Sequence, residues 1–417
     1  MATFGSLGDL HPKIAIGLEL SKRGHDVAIA AMEFYREKIE SLGLKFYPMA
    51  PHLDPNDRHI ASELVDAKMG PERIIRGLIM PGIRQMYDDI LHAIDDLNAD
   101  LLITGEVVYA ARSVVETTDI RWVSTSLMPL SLFSTSDPSV PPQAPWMGSL
   151  RFLGPYFHKA ALNFARGTMK RWYEPYKEFR RSLGLDEEHD PIFYGKYSDD
   201  LHLVLFSKVL AKPQPDWPTA TIQPGFCFFD EHLNHDMPPE LQAFLDDEPP
   251  AIVFTLGSAA VLDARDFFDQ SVEAARLLGR RAVMIYGPFS EPPRGLDDTI
   301  VGFGYAPYSQ VFNRAACVVH QGGAGTTGQA LRAGVPQLIV PFGHDQPDNA
   351  ARCRRAGVAE SLTRDEYNAE AAARKLDKIL NDSSYAAAAG EAAEVVRLEN
   401  GTKIACDAVE DILRKPL

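Results

Sequence analysis

His320-Gln321-Gly322-Gly323-Ala324-Gly325-Thr326-Thr327 packs three glycines, a histidine and two hydroxyls into eight residues. Before it runs Ala316-Cys317-Val318-Val319, apolar and β-branched; after it come helix formers from Thr327 to Ala333, closed by Gly334 and Pro336. The segment therefore reads as a strand feeding a helix through a glycine loop. Such a turn leaves backbone N–H groups and the positive end of the helix aimed at one point, which suits a diphosphate. Gly322, Gly323 and Gly325, with Ala324 among them, let the glycine backbone approach the ligand closely, and Thr326 and Thr327 add hydroxyl donors. His320 is read as a donor to a phosphate oxygen, charged if the anion raises its pKa. The bland alternative is a glycine-rich αβ turn with a structural histidine.

The same alternation extends outward on both sides. Ala251–Leu256, Ala282–Tyr286, Thr299–Phe303 and Gln337–Val340 read as strands and Asp266–Leu278 as a helix, which makes the second half a doubly wound α/β sheet. The first half begins with a stub at Ala2–Phe4, a helix over Lys13–Arg23 with Pro12 at its start, and a strand over Val27–Ala31. Leu101–Thr104, Trp122–Ser124 and Leu203–Phe206 continue it. The stub is short for a central strand, which suggests numbering that starts late. Eight prolines fall between Ala211 and Pro250. The expected organisation is an N-terminal Rossmann-like domain over 1–210, a Pro-rich linker over 211–250 and a C-terminal Rossmann-like domain over 251–395. A terminal helix over 396–417 is expected to pack back toward the first domain.

At 417 residues the chain exceeds one ordinary core, and its 45% hydrophobic content is that of a globular protein. No apolar run approaches the ~18 residues of a membrane span. The amino terminus lacks signal-peptide features and Cys227, Cys317, Cys353 and Cys406 lack metal or redox spacing, so buried thiols in a reducing cytoplasm are expected. A formal net charge of −15 argues against a nucleic-acid partner. One segment departs from this balance. From Arg151 to Arg181, eight Lys and Arg face two Glu, with aromatic residues interleaved. It reads either as a weak contact with an anionic membrane surface or as a solvated helical face with its aromatics turned to the core.

Three further loops follow strands. Gly5-Ser6-Leu7-Gly8-Asp9-Leu10-His11 places Asp9 and His11 at a strand's carboxyl end, where either can serve as a general base; the structural alternative for Asp9 is a place in a helix cap. Asp345 and Gln346, in Gly343-His344-Asp345-Gln346, offer the paired acceptors and amide that sugar hydroxyls call for, or else cap the helix after them. Gly304-Tyr305-Ala306-Pro307-Tyr308 offers an aromatic platform for a flat base.

Gly304–Pro307, His320–Thr327 and His344–Gln346 occur in the order and spacing of the donor signature of the UDP-glycosyltransferase superfamily, and the chain resembles that family over nearly its whole length. Gly5–Asp9 resembles the sterol and antibiotic glycosyltransferase branch, and Gln337–Arg352 is similar to bacterial rhamnosyltransferases. The resemblance implies a GT-B fold, two Rossmann-like parallel-sheet domains facing each other across a cleft. It implies inverting transfer of a hexose from a UDP- or dTDP-linked donor, with no cofactor beyond that co-substrate. It assigns Tyr305, with Ala306, to stacking on the base, Gly257 and Ser258 to the phosphate or ribose, and His320 and Gly325–Thr327 to the diphosphate. Gln321 replaces a histidine common in the bacterial branch. Tyr308 replaces a glutamine that plant members use at the ribose, Asp345 and Gln346 match the sugar-hydroxyl pair beside His344, and Asp9 aligns with the base. No Asp-x-Asp triplet occurs, so no metal is expected. An apolar acceptor (flavonoid, sterol, polyketide or lipid) is expected near Phe133, Trp146 and Phe152, in a monomer or homodimer. A nicotinamide oxidoreductase would require glycines at other spacings near the amino terminus. A non-catalytic auxiliary protein of the same fold would be expected to have lost the cradle.

Overall fold

The short stub at the start of the chain organises the first sheet. Ala2 bridges Ala30 on one side and Thr104 on the other, both in parallel sense, so it lies between β1 (Ala28–Ala31) and β3 (Leu101–Thr104). With β2 (Lys45–Pro48), β4 (Arg121–Ser126), β5 (Leu201–Val204) and β6 (Thr221–Ile222), the order is β2-β1-stub-β3-β4-β5-β6. The second sheet comprises β7 (Ile252–Thr255), β8 (Ala282–Ile285), β9 (Ile300–Phe303), β10 (Cys317–His320), β11 (Gln337–Ile339) and β12 (Ala359–Ser361), in the order β12-β11-β10-β7-β8-β9. All its pairings are parallel. These relations belong to a computed structural model that describes residues 1–415 apart from 58–59, 61–62, 65, 188–189 and 231–236.

The central strands β7, β8 and β10 are buried along their whole length, which explains their continuous apolar runs, since helices cover both faces of a parallel sheet. In each sheet the chain order reverses at one point, between β7 and β10 in the second and between the stub and β3 in the first. Loops leaving the carboxyl ends of strands at such reversals form the ligand crevice of doubly wound sheets.

The first helix runs Leu7–Lys22, earlier than the Pro12 start read from the sequence. A capping box sets its beginning: Ser6 Oγ accepts from the Gly8 N–H, and the Asp9 carboxylate accepts from the Ser6 N–H. Pro12 lies inside the helix, where it forgoes a bond to the Gly8 carbonyl.

The Pro-rich stretch is not without structure. It contributes β6 to the first sheet, and its helix Pro239–Asp246 packs Leu241 and Leu245 against Ala251 and Val253 of the second domain. The helix Gly401–Arg414 packs on Leu7–Lys22 through Ala405, Cys406, Val409 and Ile412 against Ala15, Ile16 and Leu20. Arg23 pairs with Asp407 at 2.8 Å across the same seam.

The basic aromatic segment divides into the helices Gly154–Met169 and Glu174–Ser182. Tyr173, Tyr176 and Phe179 turn into the core, whereas Phe152, Tyr156 and Phe164 are 79%, 89% and 76% exposed. No helix among the described residues is long and apolar enough to cross a membrane.

Candidate active site

A cleft of about 1270 Å³ lies between the carboxyl ends of the two sheets, walled by loops from both reversal points. Asp9 and His11 line it from the first domain, with Phe133 and Trp146 beyond them. From the second domain come Gly257 and Ser258, then Tyr305, Ala306 and Tyr308. Gly323 to Thr326 and His344 to Gln346 complete that wall.

The cradle holds its shape through bonds within the protein. The helix Ala324–Ala333 begins at Gly323, and no side chain caps it, so its first N–H groups are left for an anion. Gly257, at φ +66, brings a second loop so close that a Cβ there would lie 2.4 Å from Gln321 Nε2. The Gln321 amide thus packs between the Gly257 loop and Gly323, where a Cβ would lie 2.9 Å away. This gives Gln321 a bracing role at the residue that departs from the family pattern.

Four expected contacts are corrected by the geometry. His320 is fully buried behind the loop, its Nδ1 accepts from the Gly322 N–H at 3.0 Å, and its Nε2 donates to Gln337 Oε1 at 2.9 Å. Burial pushes its pKa down to about 4, the opposite of the expected rise, so the ring is neutral and shapes the turn. Gly322, at φ +91, is likewise spent on the turn: a Cβ there would lie 2.7 Å from Ile339. Thr327 sits one turn into the helix with no exposed surface. Phe152 points outward and does not line the cleft.

Tyr308 also acts within the wall, since its ring stacks on Phe312 at 4.6 Å and its hydroxyl pairs with Thr255 at 2.7 Å. Gln346 is half committed: its Oε1 accepts the N–H groups of Phe342 at 2.7 Å and Gly343 at 3.0 Å, so its amide nitrogen is what remains for a ligand. Asp345 is steered by Asn349, whose Nδ2 donates to Asp345 Oδ2 at 2.6 Å and to the Gly322 carbonyl at 2.8 Å.

On the facing wall the structure brings in groups that the sequence reading missed. Glu106 follows β3 at the first reversal point and lines the cleft; it accepts from the Leu127 N–H and, at 3.0 Å, from Ser131 Oγ. Lys13 is buried beneath, its Nζ donating to Thr125 Oγ1 at 2.8 Å, and Lys196 approaches over the ring of Phe133.

Burial, with Glu106 adding, pushes Asp9 up to about 6, against its bonds to Ser6 and the charge of Lys13. Glu106 is itself raised by burial. Burial also pushes Asp345 up to about 7, with Glu106 and Asp9 contributing. Lys13 and Lys196 are both lowered to about 8, chiefly by burial. A carboxylate that titrates near neutrality beside a cavity has the properties of a general base. Glu106 had a legible signal, an acid directly after a strand and a glycine, whereas Lys13 and Lys196 read as ordinary surface cations.

Two doubly wound sheets thus face each other across one cleft, with buried carboxylates on one wall and a glycine loop with an uncapped helix start on the other. Comparison with known proteins bears on the class. The family model for the erythromycin biosynthesis protein CIII-like C-terminal domain matches residues 291–408, and that for the glycosyltransferase family 28 N-terminal domain matches residues 1–80. The chain is 30% identical to the O-mycaminosyltylonolide 6-deoxyallosyltransferase of Streptomyces fradiae, over 99% of this chain and 96% of that one. Its fold is that of the kitacinnamycin glycosyltransferase (TM-score 0.75, 18% identity, 99% and 97% of the chains covered). It is also that of the spinosyn rhamnosyltransferase SpnG complexed with thymidine diphosphate (TM-score 0.67, 18% identity, 98% and 99% covered). The chain belongs to the UDP-glycosyltransferase superfamily and is a glycosyltransferase of nucleotide-sugar type with the GT-B fold.

Proposed function

We propose that this enzyme transfers a hexose from a UDP- or dTDP-linked sugar to a hydroxyl of an apolar small molecule, with inversion and without a metal ion. The observation that carries the reading is the facing of two reversal points, Asp9 and Glu106 on one wall and the uncapped helix Ala324–Ala333 with Asp345 on the other. In the reaction Asp9 takes the acceptor's hydroxyl proton as that oxygen bonds to the anomeric carbon. The bond from that carbon to the diphosphate breaks on the opposite face, and its electron pair leaves with the nucleoside diphosphate. The N–H groups of Ala324, Gly325 and Thr326 and the helix dipole meet that growing charge, where fixed donors have their largest effect. They supply what a metal ion would otherwise supply.

Tyr305 is the stacking surface for the base, Gly257 and Ser258 flank the phosphate or ribose, and Asp345 with the Gln346 amide holds the sugar hydroxyls. His11, beside Phe229 at 5.2 Å between ring centroids, shapes the acceptor side. The relative that acts as a 6-deoxyallosyltransferase and the neighbour solved with thymidine diphosphate favour a dTDP-deoxysugar and a polyketide-like acceptor. Apolar walls around Phe133, Met147, Phe157 and Trp172 suit such a guest. Four buried free thiols suit a reducing cytoplasm. The outward aromatics of Gly154–Met169 suit a weak contact with an anionic membrane surface.

A panel of UDP- and dTDP-sugars against sterol, flavonoid, polyketide and hydroxy-fatty-acid acceptors, read by mass spectrometry, tests the reading. Product should form from at least one pair, be unaffected by EDTA and carry the inverted anomeric configuration. Retention of configuration, or loss of turnover on chelation, would contradict the mechanism.

A further inference from the structure

The helix Gln346–Arg355 begins at the sugar-holding pair and, one turn later, grips the other domain. Asp348 and Arg352 are 0% and 2% exposed. Asp348 Oδ1 accepts the Val140 N–H at 2.9 Å, and its Oδ2 pairs with Arg352 Nε at 2.8 Å. Arg352 reaches the same segment of the first domain: Nη1 pairs with the Asp137 carboxylate, and Nη2 donates to Ser139 Oγ at 3.1 Å and to the Asp137 carbonyl at 3.3 Å. Nη1 also meets the carbonyl of Leu210 at 3.3 Å.

The segment so held lines the acceptor side of the cleft through Thr135, Pro138, Ser139, Pro141 and Trp146. Its near end is tied to Asp216, which accepts from Ser134 Oγ at 2.8 Å and Thr135 Oγ1 at 2.9 Å. Taking both charges of an ion pair out of water carries a large desolvation penalty before their attraction is counted. Apolar side chains would join the domains at less cost; what the ions add is a fixed register. Asn349 wires the start of the same helix to Asp345 and to the cradle carbonyl of Gly322. A ten-residue helix is stiff enough to pass a displacement at one end to its neighbours.

We infer that the helix Gln346–Arg355 couples occupancy of the donor-sugar subsite to the acceptor segment, with Asp348 and Arg352 as positioning residues that seat residues 137–140. The inference rests on the proposed function, because it takes Asp345 and Gln346 to hold the sugar.

Hydrogen exchange across residues 134–147 tests it, read for the full chain alone, with UDP or dTDP, and with UDP-glucose or dTDP-rhamnose. In the unmodified enzyme the nucleotide sugar should slow exchange about threefold or more beyond the nucleoside diphosphate alone. In Arg352→Lys and Asp348→Asn that increment should vanish while nucleoside diphosphate affinity stays within about twofold, a split that general destabilisation would not produce. An increment that persists in both variants, or its absence in an unmodified enzyme that binds the nucleotide sugar, would overturn the coupling. Failure to bind any nucleotide would instead count against the proposed function. Should the ionic variants fail to fold, Ser139→Ala removes one partner of Arg352 and leaves every buried charge paired: a reduced increment supports the coupling and an unchanged one contradicts it.

Discussion

At Asp9 two uses of one carboxylate meet. One oxygen closes the capping box with Ser6 while the side chain lines the cleft, so the cap fixes the direction of the carboxylate. Asp9→Asn can still accept from Ser6, and turnover should fall about 10²–10⁴-fold with thermal stability nearly unchanged. With Asp9 held near 6, kcat/KM should be flat above neutrality and fall as pH drops through about 6, because the protonated acid cannot take the acceptor's proton. Glu106 helps to raise Asp9, so Glu106→Gln should move that acid limb to lower pH by removing a neighbouring negative charge. His320 gives a second pH signature, in stability. Its folded value of about 4 lies below the unfolded 6.5, so the unfolded chain binds the extra proton between the two. Stability should therefore be lost as pH falls from about 6.5 toward 4, and His320→Gln should flatten that slope in pH-resolved thermal melts.

At the scale of elements, the cradle depends on two loops meeting over Gln321. Gly257→Ala puts a methyl into the Gln321 amide at a left-handed backbone position. It should weaken nucleotide binding about tenfold or more while the domain stays folded, as calorimetry beside circular dichroism would show. The exposed face of Gly154–Met169 is tested by flotation with anionic and zwitterionic vesicles. Retention by anionic vesicles alone, lost on Phe152→Ser with Tyr156→Ser, is expected, and equal behaviour on both lipids would remove the membrane contact. Strongly patterned elements were legible: the strands at β7, β8, β9 and β10 are near-continuous apolar runs with turn residues after them. The helix Ser383–Leu398 was not, because its alanine-rich sequence has little contrast between faces. Pro12 resembles a first-turn signal, but the Ser6–Asp9 box starts the helix Leu7–Lys22 five residues earlier, at Leu7. Asp9, Asp345 and the cradle were legible as residues following strands, whereas the inward turn of His320 was not, because its partner Gln337 lies on the neighbouring strand.

At the scale of the molecule, two sheets with reversal points turned toward each other make the cleft. The helix Gly401–Arg414 ties the end of the chain back to the first domain. On the proposed function the donor belongs to one half and the acceptor to the other, so a lesion in either half should be separable by binding. The most direct measurement is isothermal titration of the enzyme, and of Asp9→Asn, with dTDP and with UDP, followed by turnover of both proteins with the donor and acceptor found in the panel. One nucleotide should bind both proteins with equal affinity, and only the unmodified enzyme should turn over. Absence of binding by either nucleotide, or near-normal turnover by folded Asp9→Asn, would contradict the proposed function.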